Sequence, residues 1–287
     1  MINIKNTKFN LALLGKGIGI ACITITNVFL PLDAVAQKTD CVNFWTNPST
    51  GENECFNGQM NLIAEPIPVS YNSLIADRYN VGGQQILVPS PENYVRVTQA
   101  MDKVYRLHRA AKDPYNKLLA SYIPQSEVDM AIQGEFPTST KGFYLKMPKM
   151  MEQELVSPHD FAQMKHTVKT QNKEIIASNK DKIEKIVNES GNNINKELGI
   201  DVAVDVVDII PLDMHYESEN AFAYSMYIVN KVSSGGEHTE YAMAATATLI
   251  NVSGKIVSLY SIGEQADLEW TRKASRDWAK KAIASNL

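Results

Sequence analysis

The chain has 287 residues, of which 44% are apolar, and carries a formal net charge of −4 at pH 7. This length is enough for one large domain, or for a domain with an appendage, and it can bury a sizeable core. A net negative surface repels nucleic-acid phosphates and anionic lipids, so we expect no nucleic-acid partner.

The first 36 residues have the pattern of a secretory signal peptide. A stretch with three lysines precedes an uncharged apolar run from Gly17 to Leu30, and the small residues Ala34-Val35-Ala36 follow it. Signal peptidases cleave after small side chains, so we place the cleavage after Ala36. The mature protein is then periplasmic or secreted, and it keeps 25 basic and 31 acidic side chains because cleavage removes three lysines and one aspartate.

Two other interpretations of the apolar run fit less well. Its fourteen residues are fewer than the roughly 20 apolar residues that cross a bilayer core, so we expect no stable membrane span after processing. Cys22 would allow a lipid anchor, but Gly19 stands where a lipobox has a leucine-like residue.

Residues 37–56 hold the two cysteines, Cys41 and Cys55, that remain after Cys22 is removed. An even number of cysteines in an oxidising compartment favours a disulfide. Turn-forming residues at 47–51 lie between them, so we predict a disulfide-stapled hairpin. A metal or redox site is the alternative, but redox cysteines usually stand two residues apart and no histidine lies near this pair.

The next segment, residues 57–85, carries prolines and glycines without a sustained hydrophobic period, and it is interpreted as a connecting arm. The main domain is placed at 86–287. Its opening apolar residues, 86–97, predict a first strand. Apolar residues at threes and fours over 99–112 then predict an amphipathic helix.

Two extended segments follow, at 117–123 and 142–147, with a short helical turn predicted at 127–134 between them. A long helix is predicted from Pro158, with Ser157 as its N-cap. Its apolar residues continue at helical spacing to position 198. Because this is long for a globular helix, we expect two helices or one kinked helix, with the break near residues 191–193.

Beyond position 199 the hydrophobic period changes to two, which predicts strands. The alternating segments are Val202–Val206, Phe222–Ile228, Tyr241–Leu249 and Ile256–Ile262. Turn-rich clusters separate the last three, so we expect an antiparallel meander. A final helix begins at Asp267, and its apolar stripe at every fourth residue is suited to packing on the sheet. The predicted fold class is α+β, an antiparallel sheet with a C-terminal meander packed by a long central helix and a C-terminal helix.

Chemistry-bearing motifs are sparse. His159 and His166 lie seven residues apart, on one face of the predicted central helix, and His215 stands between Asp213 and Glu217. These histidines suggest a metal-handling protein or a hydrolase, but the close histidine spacing of zinc enzymes is missing. Nucleophile and phosphate-loop motifs are missing as well. We therefore assign no catalytic residue, no metal ligand and no cofactor.

Two segments resemble uncharacterised secreted bacterial proteins. The first is Ile86-x-Val88-Pro89-x-Pro91-x-x-Tyr94, and the second runs from Gly254 through Tyr260 to Trp270, Trp278 and Asn286. The order with a strand first and a helix last is also similar to that of PsbP-like α/β proteins. That resemblance implies a secreted or lumenal binding or assembly factor rather than a catalyst, and it assigns no functional residue.

The leading hypothesis is a non-catalytic envelope protein that binds a partner protein or a small ligand. Tyrosines on one sheet face, Tyr224, Tyr227 and Tyr241, are the candidate contacts, although such residues also serve in ordinary sheet packing. One alternative is the metal-handling protein or hydrolase described above. Another is a structural component that docks through the module of Cys41 and Cys55.

Overall fold

The computed structural model describes residues 44–46, 53–55, 77–111, 113–199, 203–234 and 237–287. These residues fall into two units, one that contains the segments at 44–46 and 53–55 and one that contains everything from residue 77 onward. No helix in the described ranges has both the length and the apolar character needed to cross a membrane.

The first unit contains two short strands, β1 (Phe44–Thr46) and β2 (Asn53–Cys55). They pair antiparallel, with Phe44 opposite Cys55, where the sequence predicts a hairpin. Cys41 and Ala36 lie outside the described residues. The disulfide and the signal-peptide cleavage therefore stay predictions.

The second unit is built on a large antiparallel sheet of eight described strands. They are β5 (Tyr94–Arg96), β6 (Asn116–Pro124), β7 (Gly142–Pro148), β8 (Ala203–Pro211), β9 (Tyr216–Glu217), β10 (Ala221–Ser234), β11 (Glu237–Val252) and β12 (Lys255–Glu264). Their spatial order is β5-β6-β7-β12-β11-β10-β8, with β9 also on β10. The predicted meander is confirmed in β10, β11 and β12. Its second turn has positive φ at Ser253 and Gly254, as a type I′ hairpin requires.

Five helices of the described ranges accompany the sheet. They are α1 (Asp102–Ala110), α2 (Val128–Ile132), α3 (Pro158–Ser178), α4 (Lys180–Leu198) and α5 (Leu268–Ala284). On one face, Trp278 of α5 meets Tyr122 of β6 edge-to-face at 5.4 Å. Side chains alternate across a strand, so Ser121, which bonds His108 of α1, lies on the opposite face. The sheet is therefore covered on both faces, and the α+β class is confirmed.

The C-terminal helix α5 lies on the sheet through the predicted apolar stripe, in which Trp278 and Ala282 are buried. The Trp278 Nε1 donates to the carbonyl of Pro89 at 2.7 Å. The Asn286 side chain exchanges two hydrogen bonds with the Leu87 backbone, at 2.9 and 2.7 Å. The residues that carry the resemblance to secreted bacterial proteins thus include those that fasten α5 to the segment at 87–89.

The beginning of the main domain differs from the prediction. Residues 77–85, assigned to the connecting arm, form β3 (Asp77–Val81) and the start of β4 (Gln84–Val88), which pair as a hairpin. The predicted first strand is two strands, because prolines interrupt it and only β5 joins the large sheet. The sequence does not predict this hairpin, because the alternation of buried and exposed residues in β3 extends over only two buried positions, Tyr79 and Val81.

The predicted central helix consists of two helices, α3 and α4, which is one of the two predicted arrangements. The break between them lies at Asn179, whereas the sequence predicts it near Gly191. The Asn179 side chain donates to the carbonyl of Ile175 at 2.8 Å and so competes with the helical backbone bonds. Gly191 lies buried within α4. At the start of α3 the predicted N-cap is confirmed, since Ser157 Oγ accepts from the backbone N–H of Asp160 at 3.1 Å.

Candidate functional site

The structure separates the histidines that the sequence singled out. His159 and His166 are exposed on α3, and the His159 ring lies 2.9 Å from the Gln163 side-chain amide. His215 is half-buried between β8 and β9. The described residues contain no group of three histidine, cysteine or acidic side chains arranged to hold a metal ion.

His215 has a serine neighbour, but the arrangement does not expose a nucleophile. Its Nδ1 lies 3.4 Å from Ser225 Oγ, which also bonds Thr246 Oγ1 at 2.8 Å and receives Arg272 Nε at 3.3 Å. Ser225 is completely buried. Burial, with the nearby Arg272 charge, lowers the pKa of His215 to about 4, so the ring is neutral at pH 7. These contacts are those of a packed polar network.

The tyrosines proposed as an open binding face are also placed differently. Tyr224 is buried, and the neighbouring Phe222 on the same face packs against Phe161 of α3 at 5.4 Å. Helices therefore cover this face. Tyr227 and Tyr241 are half-buried nearer the far end of the β10–β11 hairpin. Of the three candidate tyrosines, Tyr224 is therefore covered, whereas Tyr227 and Tyr241 keep part of their surface exposed.

A better candidate lies where α1 and α4 stand above the edge of β6 and β7. A cleft of about 540 Å³ opens there, and we call it the Lys146 cleft. Its charged and titratable lining consists of His108, Arg109, Asp113, Lys117, Lys146, Lys149 and Glu189. Arg106 of α1 holds the two helices together, because its Nε bonds the Glu197 carboxylate of α4 at 2.7 Å.

The floor of the cleft is a buried ion pair. Lys146 Nζ lies 3.2 Å from Asp113 Oδ2, and the two side chains are only 3% and 4% exposed. Burial lowers the pKa of Lys146, and the Asp113 charge opposes that shift. The ammonium also lies 5.7 Å from the ring centre of Tyr260. A buried pair of this kind adds little net stability, but removing either partner strands a charge.

Asp113 is fixed by three further donors. Its Oδ1 accepts from the backbone N–H groups of Tyr115 and Asn116 at 2.9 and 3.0 Å, and its Oδ2 accepts from the Asn116 side chain at 2.8 Å. Bonds to a carboxylate are stronger than neutral hydrogen bonds. They hold the Asp113 carboxylate in the position where it pairs with Lys146.

His108 adds a neutral partner next to this pair. Its Nδ1 lies 2.7 Å from Ser121 Oγ and its Nε2 lies 3.4 Å from the Tyr144 hydroxyl. Burial lowers the pKa of His108 to about 4. The ring therefore contributes hydrogen bonds and no charge at pH 7.

The rim of the cleft carries positive side chains that are not all ion-paired. Lys117 pairs with Glu152 at 2.8 Å, whereas Lys149 Nζ donates to the backbone carbonyls of Asp113 and Pro114 at 2.8 and 3.1 Å. Arg109 donates to the Tyr105 hydroxyl at 3.2 Å. Within the described ranges, no carboxylate forms an ion pair with Arg109 or Lys149. An acidic chain thus presents a locally positive cleft.

No protein-family model matches the chain, and no curated protein matches it. Sequence reasoning missed the Lys146 cleft because Asp113 and Lys146 are 33 positions apart and nothing local pairs them. One local signal was present: Lys146 is the single charged residue in the apolar strand β7, where every position is buried.

Proposed function

We propose that this protein is a non-catalytic, extracytoplasmic binding protein that takes up a small anionic ligand in the Lys146 cleft. The observation that supports it is the positive charge of Arg109 and Lys149 at the rim, neither of which forms an ion pair with a carboxylate of the described residues. Cavities of roughly 300–1,000 Å³ suit small ligands, and this one is about 540 Å³.

The chemistry favours an oxyanion, either a carboxylate or a phosphate. The guanidinium of Arg109 offers several donors to two acceptor oxygens at once, and Lys149 offers a compact charge. Lys149 would exchange its bonds to the Asp113 and Pro114 carbonyls for bonds to the ligand. The ion pair of Lys146 and Asp113 remains intact beneath the ligand and fixes the shape of the cleft floor.

Isothermal titration calorimetry with a series of small carboxylates and phosphates tests this proposal. Neutralising Arg109 by Arg109→Gln, or Lys149 by Lys149→Gln, is expected to weaken binding about tenfold, since charge-assisted bonds contribute about 1.5–3 kcal/mol. Lys280→Gln, which removes an exposed charge on α5, serves as the matched control and should bind as the wild type does. Equal affinity in all three variants, or no binding by any anion, would refute the site.

A further inference from the structure

A second surface lies at the end of the sheet where the N-terminal part of β11 extends past the end of its neighbour β12. The pairing of β11 with β12 ends at Met243 opposite Glu264, and the chain then turns through Gln265–Asp267 into α5. On that side, residues Glu237–Ala242 of β11 face no other strand in the described part of the chain. Their opposite side is paired with β10.

The ladder shows which backbone groups point outward from this edge. On β10, the carbonyls of Ala223 and Ser225 accept from the segment at 212–215, so the even-numbered residues of β10 bond β11. In the register of the β10–β11 pair, even-numbered residues of β10 face odd-numbered residues of β11. The N–H and C=O groups of His238, Glu240 and Ala242 therefore point away from β10, toward the free edge.

Open space lies beside the end of this edge that adjoins β12. A groove of about 390 Å³ lies where β12 leaves the ladder, and it is lined by Thr140, Tyr241, Ala242, Met243, Glu264 and Gln265. The stretch of six residues that extends past the end of β12 is about 20 Å long at about 3.4 Å per residue. Edge strands of this kind are templates for an added strand.

The charges on this edge select the kind of segment that fits. Glu237 and Glu240 are exposed on the strand, and Glu264 lies in the groove. The nearby bases are Lys231, which stands opposite Glu240 on β10, and Lys141, which is paired with Asp267 at 2.9 Å. The edge is therefore acidic on balance. A second copy of the same strand would bring like charges together, which disfavours self-pairing.

We propose that an extended, basic segment of a partner protein binds here by adding a strand to the free edge of β11. Its backbone pairs with His238, Glu240 and Ala242, and its lysine or arginine side chains lie across from Glu240 and near Glu264. This surface is separate from the Lys146 cleft, and the proposal does not depend on the proposed function.

Fluorescence anisotropy with a labelled peptide of alternating lysine and valine, at low ionic strength, tests the proposal. The Glu240→Pro variant removes an outward N–H without removing a bond between β10 and β11, so binding is expected to weaken about tenfold. Glu240→Gln removes only the charge and should weaken binding two- to threefold. Glu219→Gln, an exposed acid in the loop before β10, is the control and should change nothing.

Two further measurements keep the test decisive if the proline variant folds poorly. In the wild-type protein, saturating peptide should slow hydrogen exchange at the amides of His238, Glu240 and Ala242 at least tenfold. A peptide of alternating glutamate and valine should not do so. Unchanged exchange, a preference for the acidic peptide, or equal affinity of the Glu240→Pro variant would overturn the proposal. So would sedimentation showing a dimer of the wild-type protein that Glu240→Pro dissociates, since two copies would then already pair through this edge.

Discussion

The two faces of the sheet bury polar groups in different ways. Under α5 the buried groups are hydroxyls that satisfy one another, such as Thr248 with Ser275 at 2.5 Å and Thr246 with Thr271 at 2.9 Å. Under α1 the buried groups include a full ion pair, Lys146 with Asp113, at the floor of an open cleft. The first arrangement binds a helix firmly to the sheet. The second keeps charge beside a space that a ligand can enter.

The strongest test of this contrast is to remove one member of the buried ion pair. Asp113→Ala leaves Lys146 unpaired and removes the acceptor that holds the turn before β6, so we expect a loss of about 3–5 kcal/mol in the free energy of unfolding. Urea denaturation measures it. Adding Lys146→Met to this variant should restore a large part of the loss, and a double variant no more stable than the single one would contradict the charge argument.

A second test uses pH to compare His108 with His215, since burial lowers the pKa of each to about 4. Between about pH 6.5 and pH 4 the unfolded chain binds more protons than the folded one, so stability falls as the pH is lowered. For the buried His108 the loss reaches up to about 3 kcal/mol, at about 1.4 kcal/mol per pKa unit.

Urea midpoints of the wild type and His108→Asn, measured at pH 7 and pH 4.5, give this difference. The variant should lose less stability than the wild type over that range. The corresponding difference for His215→Asn should be smaller, because His215 is half-exposed and solvent screens its charge. A wild type and a His108→Asn variant with the same pH dependence would show that the pKa of His108 does not differ between the folded and unfolded states.

The hydroxyl pair under α5 should respond more weakly than the ion pair. Thr248→Val keeps the shape of the side chain and leaves Ser275 Oγ without its partner, at an expected cost of about 1–2 kcal/mol. The double variant Thr248→Val with Ser275→Ala should recover part of that cost. A loss as large as that of Asp113→Ala would remove the distinction between the two faces.

The smallest expected effect is a gain, in the helix beside the cleft. Gly191 lies inside α4, and a methyl group added there would meet no atom within 4 Å apart from its chain neighbours and the backbone of its own helix. Gly191→Ala should therefore raise the free energy of unfolding by about 0.5–1 kcal/mol, because alanine loses less backbone entropy in a helix. Thermal unfolding of the variant checks it, and a lower midpoint would mean that the glycine serves packing.

Local signals account for the parts of the fold that could be predicted. The strands of the meander show a two-residue hydrophobic period, and α3 begins with a complete N-cap. Each of these signals is contained in a short stretch of sequence. Asn179, in contrast, interrupts the helix through its side chain, while Gly191 continues the helix although its type suggests a break. The Lys146 cleft could not be predicted because its charges come together only when β6 and β7 pair.

The attachment of Asn286 to Leu87 has a consequence for the order in which the molecule can assemble. The two residues are 199 positions apart, and both backbone groups of Leu87 take their partner from that one side chain. During synthesis from the N-terminus, the hairpin of β3 and β4 is made long before residue 286 leaves the ribosome. This attachment can therefore form only after residue 286 has been synthesised, and Asn286→Ala would deprive the Leu87 backbone of both hydrogen bonds.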